Sequence, residues 1–189
     1  VMRFLALKEG EIEIDGAGAK HMNQKRFWRD ISYVPQAKQL VFGYPAVDMV
    51  VMGLSQNISI GRTPRREDYD RAYALLEKFG LGSIANQSCN TLSGGQLQMV
   101  LIARALIKGP GLLIMDEPDV FLDFENIIGL SKLINNYEGT IIAISHNRLL
   151  LSQCFDKILH LENKELQEFP GTFTEYNQAM LETKVQMAE

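Results

Sequence analysis

The sequence predicts an α/β domain built on a mostly parallel β-sheet. Two continuous apolar stretches, GLLIM at 111–115 and TIIAIS at 140–145, are typical of strands that are covered on both faces. A helical pattern runs over about 125–137 between them, and this strand–helix–strand order is typical of a parallel crossover. The chain has 189 residues, of which 46% are apolar, and this suits a single domain, 1–189, with a packed core.

The composition disfavours several classes of protein. The formal net charge is −4, whereas nucleic-acid binders usually carry a basic excess, so we expect no direct DNA binding. No apolar run reaches the ~18 residues that a membrane-spanning helix needs. Cys89 and Cys154 show neither a CxxC pattern nor a metal-binding spacing, which favours plain thiols in a reducing compartment.

The N-terminal half contains short strands and then helices. VMRFLALKEG at 1–10 is typical of the end of a helix, so we expect further sequence upstream of it. A half-exposed strand is predicted over 11–15 and a short strand over 31–36. Apolar residues then follow helical spacing from Pro45 onward, and a helix is predicted over about 96–107. We therefore predict a helical subdomain over about 45–107.

The C-terminal part is predicted to be a hairpin followed by a helix, together spanning about 156–189. KILHLE and KELQEF alternate between polar and apolar residues, as hairpin strands do. Thr172 and Glu175 have the spacing of a capping box, which predicts a helix over about 176–187.

The most specific motif is the pentapeptide Leu92-Ser93-Gly94-Gly95-Gln96. Two adjacent glycines leave backbone N–H groups unshielded, a helix begins at the same point, and Ser93 adds a hydroxyl. This combination suits a phosphate group. An ordinary glycine turn capped by serine is the alternative for the pentapeptide alone.

Further polar residues follow the predicted strands. Asp116 and Glu117 end the first apolar strand, at the edge where open α/β sheets bind ligands. Asp116 can hold Mg²⁺ and Glu117 can orient a water molecule for attack on phosphorus, although solvated acids in a turn are the alternative. His146 follows the second strand and Gln36 closes an earlier one, whereas His21 and His160 are interpreted as structural residues.

Taken in order, these motifs resemble the nucleotide-binding domain of ATP-binding cassette (ABC) proteins, a P-loop NTPase-like fold. By this resemblance 92–96 is the signature motif, Asp116 the Walker B aspartate, Glu117 the catalytic glutamate, Gln36 the Q-loop and His146 the H-loop. VFLD at 120–123 matches the D-loop, with Asp123 as its aspartate. The resemblance implies an ATPase in which Glu117 and His146 are catalytic and in which Asp116 and Gln36 hold Mg²⁺. The residues that it implies for nucleotide binding are Leu92, Ser93, Gly94, Gly95, Gln96, Gln36 and Asp123.

Two features depart from the family pattern. The P-loop motif GxxxxGK[ST] does not occur in the 189 residues, and GAGAK at 16–20 lacks the required neighbours. VMRFLAL resembles the tail of the P-loop helix, so we expect the loop to precede it and expect negligible hydrolysis from the 189 residues alone. Asp119 stands where the family usually has threonine, and we expect it to point outward because an inward acid would repel a polyphosphate.

The resemblance implies the ATP-hydrolysing subunit of an ABC transporter, coupled to a separate membrane permease and paired head to tail with a second cassette. Such a subunit lies in the cytoplasm on the inner face of the cell membrane. The stretches ISYVPQ and FGYPAVDMVVMG are similar to those of metal-chelate and siderophore importers. GTIIAISHNRLLL and ELQEFPGTFTEYN are similar to soluble, translation-associated ABC proteins, which is the alternative function; an inactive cassette fragment is the third.

Overall fold

A three-stranded parallel sheet lies at the centre of the structure. The computed structural model describes residues 9–20, 22–36, 43–55 and 63–186, so the predicted helix end at 1–8 and His21 fall outside it. Strands β3 (Ile31–Val34), β4 (Leu112–Asp116) and β5 (Thr140–Ile144) lie side by side in that order. Because all three are parallel, their C-terminal ends meet at one edge, and the predicted crossover is confirmed.

The remaining elements follow the predicted order. Before β3 the chain forms a small hairpin and a short helix; helices follow β3, and a second hairpin and a helix close the chain. The elements are β1 (Glu13–Ile14), β2 (Ala17–Gly18), α1 (Gln24–Asp30), α2 (Ala46–Val51), α3 (Arg66–Lys78), α4 (Gly94–Leu106), α5 (Phe124–Asn135), α6 (Arg148–Cys154), β6 (Lys157–Glu162), β7 (Glu165–Pro170) and α7 (Phe173–Gln186).

Helix α4 connects the helices to the sheet. It is buried on nearly all sides, and the Ser32 hydroxyl of β3 donates a buried hydrogen bond of 2.6 Å to the Ala105 carbonyl. The chain approaches α4 closely at Gly53, where an added Cβ atom would lie 2.0 Å from the Arg104 carbonyl oxygen. Helices α2, α3 and α4 occupy the span where the sequence predicts a helical subdomain, and the division into subdomains stays a prediction.

The two faces of the sheet differ in how well they are covered. Leu113 and Met115 of β4 are fully buried, whereas Ile142 and Ile144 of β5 are 38% and 56% exposed. The expectation that both faces of 140–145 are covered is therefore wrong for the described structure. The reason is tertiary packing: Ile141 and Ala143 share a face with the buried residues of β4 and pack against the main core, whereas Ile142 and Ile144 lie on the other face. Strand β5 pairs only with β4 among the described strands, so it is also the edge of the sheet.

A lysine side chain forms hydrogen bonds both to α1 and to the N-terminal end of the sheet. Lys108 Nζ, just after α4, donates to the Trp28 carbonyl and, at 2.7 Å, to the Ile31 carbonyl. Burial lowers the pKa of this amine. The Trp28 ring meets the buried Phe27 ring edge to face at 5.1 Å, so the end of α1 is held by both packing and hydrogen bonds.

A hairpin turn and a helix cap define the C-terminal elements. Asn163 and Lys164 join β6 to β7 with positive φ at both positions, the backbone of a type I′ hairpin turn. The predicted capping box is present, since the Thr172 N–H donates to Glu175 Oε2 at 2.7 Å and the Glu175 N–H to Thr172 Oγ1 at 3.4 Å. Helix α7 consequently begins at Phe173, three residues earlier than predicted, because Thr172 itself is the cap.

Candidate functional site

The chain turns sharply where β4 ends. The N–H of Glu117 donates to the Ile144 carbonyl at 2.9 Å, so the pairing with β5 extends one residue beyond Asp116. Glu117 then adopts φ +45°, a left-handed conformation that is uncommon for any residue except glycine. This turn places a carboxylate directly at the C-terminal edge of the sheet.

Side chains that follow the two neighbouring strands, β3 and β5, lie beside that carboxylate. Gln36, two residues after β3, donates from Nε2 to Glu117 Oε2 at 2.7 Å. His146, two residues after β5, places Nε2 3.9 Å from Glu117 Oε1. The imidazole is 89% exposed and the Glu117 side chain 31%. The structure thus brings the predicted Q-loop, glutamate and H-loop residues together, with an exposed imidazole beside a partly covered carboxylate.

Asp116 has a partner that sequence reasoning missed. The Tyr33 hydroxyl of β3 donates to Asp116 Oδ2 at 3.2 Å. Burial and the nearby Asp116 carboxylate raise the pKa of this phenol, so it stays a hydrogen-bond donor at neutral pH. The register of the strands could have predicted this contact. Tyr33 lies opposite Ile114, and Ile114 precedes Asp116 by two residues, so its side chain is on the same face of the sheet.

The donor set suits Mg²⁺. Asp116 supplies a carboxylate and Gln36 an amide oxygen, which are the hard ligands that this ion prefers. Among the described residues no cluster of three or more His, Cys, Asp or Glu side chains could hold a metal by itself. Mg²⁺ is usually held by one or two protein oxygens that share the ion with water and substrate phosphates, and Asp116 with Gln36 fits that pattern.

The pentapeptide 92–96 forms the start of α4, away from Glu117. Ser93 caps the helix: its Oγ accepts from the Gln96 N–H at 3.2 Å, and Gln96 Oε1 accepts from the Ser93 N–H at 3.0 Å. The serine-capped turn is therefore real, and the hydroxyl hydrogen of Ser93 is still available to a ligand. Leu92 packs against the main core.

The glycines of this motif are less open than the sequence predicts. Gly94 is exposed and Gly95 is buried. Phe121 packs against both glycines. A Cβ atom on Gly95 would lie 2.9 Å from the Phe121 carbonyl oxygen, and one on Gly94 would lie 3.0 Å from the Phe121 side chain. Phe121 itself has φ +68°, so the close approach depends on an unusual backbone conformation.

The segment from Asp116 to Asp123 links the two groups of residues. It begins beside Gln36 and His146 and passes the signature motif at Phe121. Asp123 then caps α5, accepting from the Asn126 N–H and from Asn126 Nδ2, both at 2.9 Å. No hydrogen bond or ion pair of the described residues joins the pentapeptide directly to Glu117.

Asp119 does not point outward as predicted. Its Oδ1 accepts a hydrogen bond of 2.6 Å from the Ser145 hydroxyl, and it is half-buried. Ser145 Oγ also accepts from the Asn147 N–H at 3.0 Å. The prediction is wrong because the loop after β5 offers this acid a hydroxyl partner, and the acid packs against that loop.

A parallel sheet with acidic, amide and imidazole side chains at the C-terminal ends of its strands has the arrangement in which open α/β folds bind ligands. The profile of the ABC transporter family matches residues 1–120. An uncharacterized ABC transporter ATP-binding protein of Haemophilus influenzae is 35% identical over 158 residues, which are 82% of this chain and 60% of that protein. The chain belongs to the ABC transporter family.

Solved structures agree with this assignment. A dimeric ATP-binding cassette in a post-hydrolysis state with ADP and Pi has a TM-score of 0.69 and 25% identity, covering 86% of this chain and 74% of that one. An inward-facing ABC transporter assigned to the metal-chelate type has a TM-score of 0.68 and 30% identity, covering 75% and 58%. The predicted fold class is thereby confirmed.

The match is partial in length. The chain spans 55 to 63% of several curated relatives that it matches. Within the part of the chain that the structure describes, no helix is both long enough and apolar enough to cross a bilayer.

Proposed function

We propose that this chain is the ATP-hydrolysing subunit of an ABC transporter. The observation that carries the proposal is the meeting of Gln36, Glu117 and His146 at the sheet edge, next to Asp116. Phosphoryl transfer to water depends mainly on positioning and on charge stabilisation. These four side chains supply both.

Each side chain has a distinct part in hydrolysis. Glu117, held on one oxygen by Gln36, orients a water molecule with the other and accepts its proton. His146 donates a hydrogen bond to a phosphoryl oxygen from its exposed ring. Asp116 and Gln36 would hold Mg²⁺, which neutralises the charge that develops on the phosphates.

The signature motif acts on the nucleotide of a partner cassette. The start of α4 offers the exposed Gly94 and the hydroxyl hydrogen of Ser93, at the positive end of a helix dipole. Leu92 packs against the main core and Gln96 completes the cap of α4, so both help to fix this surface. Gly95 lies against Phe121, and Asp123 caps the next helix, α5. The dimeric cassette in the post-hydrolysis state supports a second cassette as the partner.

A membrane permease is the second partner that we propose, with the subunit on the cytoplasmic face of the membrane. The relative from Haemophilus influenzae is an ABC transporter component by name, and the metal-chelate type transporter matches three quarters of this chain. These likenesses favour transport over action on the ribosome.

Glu117→Gln tests the proposal. The amide keeps the size of the side chain but cannot accept the proton of water, so turnover should fall by about two orders of magnitude or more. ATP binding should persist because the phosphate contacts remain. Both are measured on the intact ATPase with its partner cassette, by phosphate release and by binding of labelled ATP.

Glu125→Gln is the matched control, since Glu125 is an exposed acid in the first turn of α5. It should leave turnover unchanged. Undiminished phosphate release by the Glu117→Gln protein would overturn the proposed function.

A further inference from the structure

The loops that follow β4 and β5 are joined by two hydrogen bonds. One is the backbone bond from the Glu117 N–H to the Ile144 carbonyl, at 2.9 Å. The other joins side chains, from the Ser145 hydroxyl to Asp119 Oδ1, at 2.6 Å. The second is short and has a carboxylate as acceptor, which makes it the stronger type of hydrogen bond.

Ser145 and Asn147 hold His146 from both sides. A serine hydroxyl has one hydrogen, and here that hydrogen is donated to Asp119. The orientation leaves the lone pairs of Ser145 Oγ facing the Asn147 N–H, which donates to it at 3.0 Å. The Asn147 side chain in turn accepts from the Leu150 N–H at 3.1 Å and caps α6. The imidazole therefore lies between Ser145, which is bonded directly to the Asp119 carboxylate, and Asn147, which is held by Ser145 and by its cap on α6.

Asp119 stands only two residues after Glu117, so the same short segment carries the carboxylate at the site and the anchor of the loop that bears His146. The side chain of His146 is exposed, and the contact described for it is the 3.9 Å approach to Glu117. Its position consequently depends on the backbone on which it stands.

We propose that Asp119 is a positioning residue for ATP hydrolysis: through Ser145 it holds the His146 loop, and so the imidazole, beside Glu117. This inference rests on the proposed function, because it assigns Asp119 an effect on the hydrolysis step. The inference assigns a role to the aspartate that stands where the family usually has threonine. Because Asp119 acts through another residue, its loss should lower kcat while leaving nucleotide affinity nearly unchanged.

Asp119→Ala, Asp119→Asn and Ser145→Ala are compared in the intact ATPase with its partner cassette. Asp119→Ala and Ser145→Ala should each lower kcat about tenfold, with KM for ATP changed less than about twofold, since small misplacements of a reacting group are costly. Asp119→Asn keeps an acceptor oxygen and should retain most of the activity. Glu125→Ala, which removes an exposed acid from the same region, should have no effect.

A double substitution tests whether Asp119 acts through His146. If it does, Asp119→Ala should cause no further loss in a His146→Ala background, because coupled residues are not additive. Equal tenfold losses in both backgrounds, or wild-type kcat for Asp119→Ala, would overturn the inference.

Amide hydrogen exchange provides a readout that does not need activity. The Asn147 amide should exchange about tenfold faster in Ser145→Ala than in the unsubstituted protein, because it loses its acceptor. It should also exchange faster in Asp119→Ala than in Asp119→Asn, because the carboxylate no longer orients the Ser145 hydroxyl that accepts from it. Unchanged exchange in the alanine variants would overturn the contact itself. Absence of ATP turnover in the unsubstituted ATPase carrying an upstream P-loop segment, together with its partner cassette, would instead count against the proposed function.

Discussion

Ser93 shows how one side chain serves both folding and the proposed chemistry. Its oxygen caps α4 while its hydrogen remains free for a phosphate. We predict that Ser93→Arg abolishes ATP-dependent pairing of cassettes and ATP turnover, because a bulky cation would occupy the place of a small hydroxyl. Pairing is measured by size-exclusion chromatography with a hydrolysis-deficient form.

The same change at an exposed serine outside the motif is the control. Ser83 lies in a short 3-10 helix, Gly82–Ile84, and its side chain is exposed. Ser83→Arg should leave pairing intact. Normal pairing of the Ser93→Arg protein would remove the signature motif from the proposed interface.

At the residue scale the sequence indicated which side chains meet at the sheet edge better than it indicated their contacts, and their catalytic roles stay predictions. Asp116, Glu117 and His146 were identifiable because each follows an apolar strand, and parallel strands end at one edge. The sequence did not reveal the hydrogen bond to Asp119 or the packing of Phe121 over the glycines. Both depend on loop torsions, such as φ +45° at Glu117 and +68° at Phe121, which no periodic pattern encodes.

Among the elements, α4 and α5 offer a matched pair of glycines. Gly95 lies against the Phe121 carbonyl, whereas an added Cβ atom at Gly129 in α5 meets nothing within 4 Å. Gly95→Ala should destabilise the fold by about 1–3 kcal/mol through overpacking. Gly129→Ala should stabilise it by about 0.5–1 kcal/mol, since alanine favours a helix interior. Urea denaturation measures both, and equal effects would contradict the packing of Phe121.

The start of α7 should respond to acid. The backbone and side chain of Thr172 donate to Glu175, and these hydrogen bonds lower the pKa of its carboxyl. A lowered pKa means that the stabilisation is present above the ordinary glutamate pKa and is lost as the pH falls through the folded-state value. The Thr172 amide resonance should therefore titrate at a pH below the ordinary glutamate pKa. Glu175→Gln should remove that titration, and a resonance insensitive to pH in the unsubstituted chain would contradict the capping box.

Element boundaries were predictable where a cap marks them. Ser93 and Thr172 both signal a helix start in the sequence, although the helix following each begins earlier than its apolar pattern does. The exposure of β5 was not predictable, because TIIAIS has the same composition as a strand covered on both faces. Coverage depends on what packs against a strand, and this is a property of the tertiary structure.

For the molecule as a whole, the described sheet has an open edge at β5 and exposed apolar side chains on one face. Such edges promote association between chains. We predict that a polypeptide of residues 1–189 is marginally stable and prone to aggregation. Light scattering and urea unfolding measure this, and highly cooperative, highly stable unfolding would contradict it.

Substitutions at two neighbouring isoleucines distinguish an effect on aggregation from an effect on the free energy of unfolding. Ile142 is exposed, whereas Ile141 packs against the main core. Ile142→Thr should reduce aggregation with little change in the free energy of unfolding. Ile141→Thr should lower the free energy of unfolding, because it places a hydroxyl against apolar neighbours.

Trp28 makes one end of this molecule visible to spectroscopy. It is the only tryptophan in the 189 residues, so tryptophan emission comes from the junction of α1, β3 and the lysine that follows α4. That junction lies at the N-terminal end of the strands, opposite the edge where Asp116 and Glu117 stand. Tryptophan emission recorded while nucleotide is added, and corrected for the absorption of the nucleotide, therefore reports on the end of the sheet opposite Asp116 and Glu117, without a label and at a single known position.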